Sequence, residues 1–354
     1  MSLAAVERGI DPALVADLRA ASAHHRARSE HRVNGLIGEA QHWYLAEIHA
    51  FLNEQLGVPA LRGVLGHLPA AARPYLEWLR WTSWNICELA AVAHAETAPV
   101  AERLGLATAA YAAGRLIDDA LDGHDDYKGR FPTLLGVLRE QHAELSDSVL
   151  RVHAALLGFG LLQHALRRLR QRGHLASADA IDRLSAVAST GVLAESLVGE
   201  CADPETYREV IRRKSVAYNM ILYKPALEGV ESAARATLLR ALAAMDELSQ
   251  LLNDLTDRSD DQGRRQMNAF AAGAASPTAS ALAERVDALW ASCAGLDPVL
   301  RQAFAAMLVN LGIFTAAGPR REHDPEQGHV PAPPDVAGWV YSCGTRSGFP
   351  SGAQ

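Results

Sequence analysis

Two acidic runs, far apart in the chain, each close an apolar stretch of helical character. The first reads Arg115-Leu116-Ile117-Asp118-Asp119-Ala120-Leu121-Asp122. The second reads Gln250-Leu251-Leu252-Asn253-Asp254-Leu255-Thr256-Asp257. Residues at i and i+4 share a helix face. Asp118 therefore projects with Asp122, and Asn253 with Asp257, with Asp261 one turn further on. A carboxylate near a helix C-terminus opposes the macrodipole, and neighbouring carboxylates also repel one another. A solvated helix end is the ordinary explanation of one such run. The buried leucines around both runs make that explanation poor for the two together. Paired oxygen ligands suit magnesium, which takes a few carboxylates plus water and substrate phosphate. Two such pairs across a cavity would hold magnesium ions on a diphosphate. Asp125 and Asp126 extend the first run as solvated loop.

The rest of the chain reads as helix. Hydrophobic residues make up 49% of the 354 and aromatics only 6%. Ala and Leu dominate, and β-branched runs are scarce, which favours helix over sheet. Helical patterns cover 11–56, 75–96, 100–122, 145–172, 177–200, 205–223, 232–258 and 278–317. Pro74 suits a first helical turn. Trp78, Trp81 and Trp84, at i, i+3 spacing, share one face of the helix over 75–96. The expected organisation is a helical extension over 1–56, a helical bundle over 57–317, and a Pro/Gly-rich tail or lid over 318–354. The fold class is all-α, a layered bundle.

Composition also excludes. The net charge of −7 argues against a nucleic-acid surface. The four cysteines show no CxxC spacing, so neither a zinc site nor a disulfide framework is indicated. No signal pattern and no bilayer-length apolar run stand out. A cytoplasmic protein without a transmembrane segment is expected.

Between the acidic runs lies a cationic segment, Tyr207-Arg208-Glu209-Val210-Ile211-Arg212-Arg213-Lys214-Ser215. The apolar residues that follow place Lys214 at the edge of a buried face. A departing diphosphate gains charge and needs such a donor.

With these residues in view, the chain resembles the trans-isoprenyl diphosphate synthase family, of the class I isoprenoid (terpenoid) synthase fold, over roughly residues 45–315. The family's DDxxD motif stands as Asp118 to Asp122, followed by Tyr127-Lys128-Gly129-Arg130-Phe131-Pro132-Thr133. Its Lys-Thr motif stands as Lys214-Ser215. Its second aspartate motif stands as Gln250 to Asp257, with Asn253 in place of the first Asp. The resemblance implies a helical bundle around a central cavity, a homodimer, and three magnesium ions. It implies Asp118, Asp119, Asp122, Asn253, Asp254, Asp257 and Asp261 as metal ligands. Arg73, Lys128, Arg130, Lys214 and Gln250 would bind diphosphate. Asp118, Asp122 and Lys214 would carry catalysis. Trp81, Trp84, Tyr111, Ala113, Gly114 and Tyr218 would line the pocket, and aromatic faces there could attract a carbocation.

The departures matter as much. The family's GKRxRP motif corresponds to Pro69-Ala70-Ala71-Ala72-Arg73-Pro74, and its Arg-Arg pair to Tyr127-Lys128. Each lost charge-assisted contact to phosphate is worth roughly 1.5–3 kcal/mol. The allylic site looks kept while the isopentenyl site is depleted. That pattern leads with a terpene synthase acting on a prenyl diphosphate. The alternative is a prenyltransferase that condenses an allylic diphosphate with isopentenyl diphosphate or another acceptor. A non-catalytic partner subunit is the third reading. Small Ala113 and Gly114 below Asp118 leave room for a chain of fifteen carbons or longer, unless another helix fills the gap. Arg115 either pairs with an acid or faces out. The helix around Thr190-Gly191-Val192 competes with Gly199-Glu200 for the family's Gly-Gln/Glu element.

Overall fold

The computed structural model describes residues 9–57, 68–123, 125–126, 132–198, 203–264, 267–274 and 278–311, of which 55–57, 196, 256–264 and 279 are described as backbone only. Twelve α-helices account for most of them. These are α1 Pro12–Gly57, α2 Leu68–Trp78, α3 Trp84–Ala93, α4 Ala98–Asp122, α5 Leu134–Gln141 and α6 Asp147–Gln171. They are followed by α7 Leu175–Val198, α8 Pro204–Ile211, α9 Ala217–Ala226, α10 Ser232–Arg264, α11 Ala279–Ser292 and α12 Pro298–Asn310. A 3₁₀ turn at Leu79–Trp81 joins α2 towards α3, and a π turn at Arg212–Val216 joins α8 to α9. No strand occurs among the described residues.

Helix α4 is the axis of the bundle. It packs against α1, α6, α7 and α9. Its sequence explains this position, because alanines at 101, 107, 109, 110, 112 and 113 are buried and let neighbouring helices approach closely. Helix α1 is part of the core along its length. Tyr44, Ile48, Phe51 and Leu52 are buried to within 1%, and the Tyr44 hydroxyl donates to the Leu76 carbonyl of α2. Buried Glu47 ties α1 to α6, accepting from His164 Nε2 at 3.0 Å and Arg168 Nε at 2.8 Å. Helix α6 is long and apolar enough to span a membrane by length and composition alone, and half of its apolar window is buried inside the bundle.

The helix boundaries depart from the sequence reading at three places. Pro74 lies inside α2, because that helix starts six residues earlier, at Leu68. The expected helix over 75–96 breaks at residues 79–83, so Trp78, Trp81 and Trp84 fall on three different elements. The stretch 278–317 divides where Asp297 caps α12 through Val299 N–H at 2.8 Å, with Pro298 in its first turn. The tail from 318 onward lies outside the described residues.

Candidate active site

Helix α4 ends at Asp122. Gly123 closes it in the left-handed conformation, φ 75°, and its N–H bonds the Asp119 carbonyl. Two arginines offset the unfavourable placement of three aspartates at this end. Arg151 of α6 donates to the Leu121 carbonyl at 2.8 Å, and Arg139 of α5 to the Gly123 carbonyl at 3.1 Å. Both cations complement the negative end of the dipole.

The three aspartates have different environments. Arg115 resolves which of its two expected positions it takes, for it forks between Asp118 Oδ2 at 2.9 Å and Asp119 Oδ1 at 2.7 Å. Asp119 also accepts from the buried Tyr75 hydroxyl of α2. Its two carboxylate oxygens thus both have protein donors. Asp118 and Asp122 face the π turn instead. There Lys214 Nζ lies 3.1 Å from Asp118 Oδ1 and 3.7 Å from Asp122 Oδ2, and it also contacts Glu195 of α7. Burial, then the charge of Asp118, pushes the Asp122 carboxyl up to about 7. Burial alone would pull the Lys214 ammonium down. The carboxylates of Asp118, Glu195 and Asp122 outweigh it and hold the ammonium charged, above its ordinary range.

The π turn is what brings Lys214 to this position. An i→i+5 turn is rare and occurs mostly at functional sites. Gly191 of α7 lets the turn approach, since a Cβ there would lie 2.7 Å from the Arg213 carbonyl carbon and also strike the Lys214 nitrogen. Gly191 and Glu195, one turn apart, therefore hold the backbone and the ammonium of the same residue.

Helix α10 meets the other side of the turn. Ser215 Oγ lies 3.1 Å from Gln250 Oε1, so Lys214 reaches the α4 acids while its neighbour reaches the second motif. Asn253, half-buried, stands one turn beyond Gln250. Asp254 is 2% exposed and turned into the protein. It accepts from Gln250 Nε2 at 2.6 Å, Tyr207 hydroxyl at 2.7 Å and Ala269 N–H at 2.7 Å. The sequence reading counted Asp119 and Asp254 among the metal ligands. In the structure their carboxylate oxygens accept hydrogen bonds from protein donors. The side chains of Asp257 and Asp261 lie outside the described residues, as do Lys128 and Arg130.

The pocket residues divide similarly. Tyr111 and Tyr218 pack with ring centroids 4.2 Å apart and planes tilted by 32°, and the Tyr218 hydroxyl donates to the Tyr111 carbonyl. Tyr218 fills the space beside Gly114, where a Cβ would sit 2.9 Å from its Cζ. The room expected one turn below Asp118 is therefore taken by α9, and the expectation of a long substrate chain loses its support. Ala113 is fully buried, with its carbonyl against Gly158 of α6. Trp81 is buried in the core, and Trp84 is half-buried on α3. Arg73 is half-buried on α2, two residues before Tyr75, and forms no hydrogen bond or ion pair with any described residue.

Glu195, Tyr75 and Tyr207 were not foreseen. Each reaches the site from an element remote in sequence. The one available signal was the Gly191-to-Glu195 spacing of a single helical turn.

The donor set suits magnesium. It is made of oxygen, it forces two carboxylates together, and burial raises one of them. Among the described residues no three His, Cys, Asp or Glu side chains cluster as a protein cage. Magnesium needs none, since it keeps waters and takes one or two carboxylates with substrate phosphate. Asp118 and Asp122 would hold it from α4, and Asn253 from α10.

The Lys214 ammonium lies at the α4 acids while neighbouring Ser215 touches Gln250 of the second motif, and comparison with solved structures shows a trans-isoprenyl diphosphate synthase-like helical fold. A decaprenyl diphosphate synthase from Rhodobacter capsulatus matches with a TM-score of 0.50 and 17% identity, over 77% of this chain and 84% of that one. A polyprenyl synthetase from Streptomyces coelicolor A3(2) matches with a TM-score of 0.52 and 13% identity, over 78% of this chain and 98% of that one. No family model and no curated protein matches the sequence.

Proposed function

We propose that this protein is a magnesium-dependent prenyltransferase that ionises an allylic prenyl diphosphate and joins the allylic carbon to isopentenyl diphosphate or another acceptor. The observation that carries the reading is the convergence of Asp118, Asp122 and Lys214 at the turn that also touches Gln250. The two solved structures named above are a decaprenyl diphosphate synthase and a polyprenyl synthetase, which favours transfer over cyclisation. Arg73 favours it too, as a cation with no bond to any described residue and so a candidate to meet a second diphosphate.

The bound ions would supply Lewis acidity to the leaving diphosphate. Lys214 donates to a phosphate oxygen whose charge grows as the carbon–oxygen bond breaks. Asp118 and Asp122 fix the diphosphate end at the mouth of the site. Tyr111 and Tyr218 exclude water beneath it and present π faces to the developing cation. The cation is then captured by the acceptor's double bond, and the adduct loses a proton.

The second reading is a terpene synthase. The alanines at 70 and 71, which stand where the family's motif has Lys and Arg, favour it, because neither exposed Ala70 nor buried Ala71 can bind a phosphate through charge. Incubation with allylic diphosphates of ten to twenty carbons and magnesium, with and without isopentenyl diphosphate, separates the two. Extended diphosphates are expected. Hydrocarbon or alcohol formed equally well without isopentenyl diphosphate would shift the assignment to the synthase. Failure to release diphosphate from any substrate would refute both.

A further inference from the structure

Glu195 has no role in the reading above, yet it holds one of the two charges on which that reading depends. It sits on α7, across the π turn from the α4 acids, and contacts the Lys214 ammonium together with Asp118 and Asp122. Both side chains are mostly covered, 19% exposed for Lys214 and 21% for Glu195. Four carboxylates, Asp118, Asp119, Asp122 and Glu195, thus share Arg115 and Lys214.

We propose that Lys214 is an internal competitor of the divalent cation at Asp118 and Asp122, and that Glu195 is the positioning residue that receives Lys214 when the cation enters. The proposal rests on the assignment of Asp118 and Asp122 as the metal carboxylates. A dication on those two aspartates repels the ammonium 3.1–3.7 Å away. Glu195 belongs to a different helix and remains as a partner. Gly191 keeps the Lys214 backbone against α7, so the side chain swings rather than leaves. An ammonium has three donors. Held by one carboxylate instead of three, it has hydrogens left for an anion arriving with the cation. The π turn supplies the backbone slack for that swing.

The test is a double-mutant cycle read by Mn²⁺ binding to the full chain, with free Mn²⁺ followed by electron paramagnetic resonance and no substrate present. Lys214→Met is expected to tighten Mn²⁺ at least tenfold, because the competing cation is gone. Glu195→Gln is expected to weaken Mn²⁺ threefold or more, because Lys214 then settles wholly on the aspartates. In the Lys214→Met background the Glu195→Gln change should have no effect. Equal weakening in both backgrounds would make Glu195 a metal ligand itself and overturn the proposal. So would no effect of Glu195→Gln in the native background, or a Lys214→Met protein that binds Mn²⁺ no better than the parent. If melting shows Lys214→Met to be unfolded, Lys214→Gln takes its place in the cycle with the same expected signs. Product assays judge the function separately, since absent prenyl transfer with this cycle intact would remove the function and leave the competition standing.

Discussion

Asp118 and Asp119 are neighbours in one motif, yet their partners differ, and under the proposed function single substitutions should separate stability from activity. Asp119 is buried, with Arg115 on one oxygen and the Tyr75 hydroxyl on the other. In Asp119→Ala the Tyr75 hydroxyl loses its acceptor inside the core. An orphaned buried hydroxyl costs about 1–3 kcal/mol, and the lost charge-assisted bond from Arg115 adds about 1.5–3 kcal/mol. Arg115 keeps Asp118, which limits the total to roughly 3–5 kcal/mol. At about 2 °C per kcal/mol for a chain of this size, the melting temperature should fall by about 6–10 °C. Asp118→Ala is different. It removes contacts to Arg115 and Lys214, but Arg115 keeps Asp119 and Lys214 keeps Asp122 and Glu195. It also removes the charge that helps push Asp122 up to about 7. These effects oppose, so the net change should stay within about 1 kcal/mol. Magnesium-dependent diphosphate release should behave in reverse. Asp118→Ala should lose a hundredfold or more, while folded Asp119→Ala, assayed well below its midpoint, should keep at least a tenth. Circular dichroism melts at 222 nm and a coupled diphosphate assay on the same preparations give both numbers. Equal loss of activity in the two variants, with no drop in the melting temperature of Asp119→Ala, would refute the division of roles.

Three further outcomes follow from separate parts of the molecule. Gly191→Ala forces its Cβ against the π turn and should cost about 1–3 kcal/mol as overpacking, with diphosphate release falling further than stability explains. Unchanged kinetics in a folded variant would show that the close approach is idle. Tyr218→Ala opens the space beside Gly114 and should lengthen the longest product by at least one isoprene unit, measured by chromatography of the dephosphorylated alcohols. An unaltered product length would place the floor elsewhere. Burial raises the Glu47 carboxyl, but the bonds from His164 and Arg168 outweigh it and hold it at about 2, below 4.5. A depressed carboxyl stabilises fully above 4.5, and its contribution, roughly 3 kcal/mol, is lost as pH falls from 4.5 towards 2. Denaturant midpoints across that interval should be flatter for Glu47→Gln than for the parent, and parallel slopes would contradict the pairing.

Much of this architecture was legible in the sequence, and the parts that were not have common causes. Helical periodicity and composition were enough for an all-α bundle, because a chain rich in Ala and Leu with few β-branched runs has little else to form. The break at 79–83 was hidden, since Trp78, Trp81 and Trp84 at three-residue spacing mimic one continuous face. The π turn carries no residue signature; it exists because α7 approaches through Gly191 and α10 through Gln250. At the site, Asp118, Asp122 and Lys214 were legible because charge on apolar helices stands out in one dimension. Asp119 of the first motif and Asp254 of the second accept from Tyr75 and Tyr207, partners supplied by helices remote from each motif in sequence. Tyr218 was noticed as an aromatic, while its insertion beside Gly114 depends on the packing of α9 on α4, which spacing does not encode.

The central claim is that Asp118 and Asp122 at the end of α4 and Asn253 within α10 share divalent cations across the lysine-bearing turn. Anomalous diffraction from crystals grown with Mn²⁺ and a non-hydrolysable diphosphate analogue tests it most directly. The account predicts manganese peaks at ligand distance from Asp118 and Asp122, with a further ion reached by Asn253 and the Lys214 ammonium moved onto the analogue. Manganese bound away from both helices, or an analogue seated with no ion between it and Asp118, would contradict it.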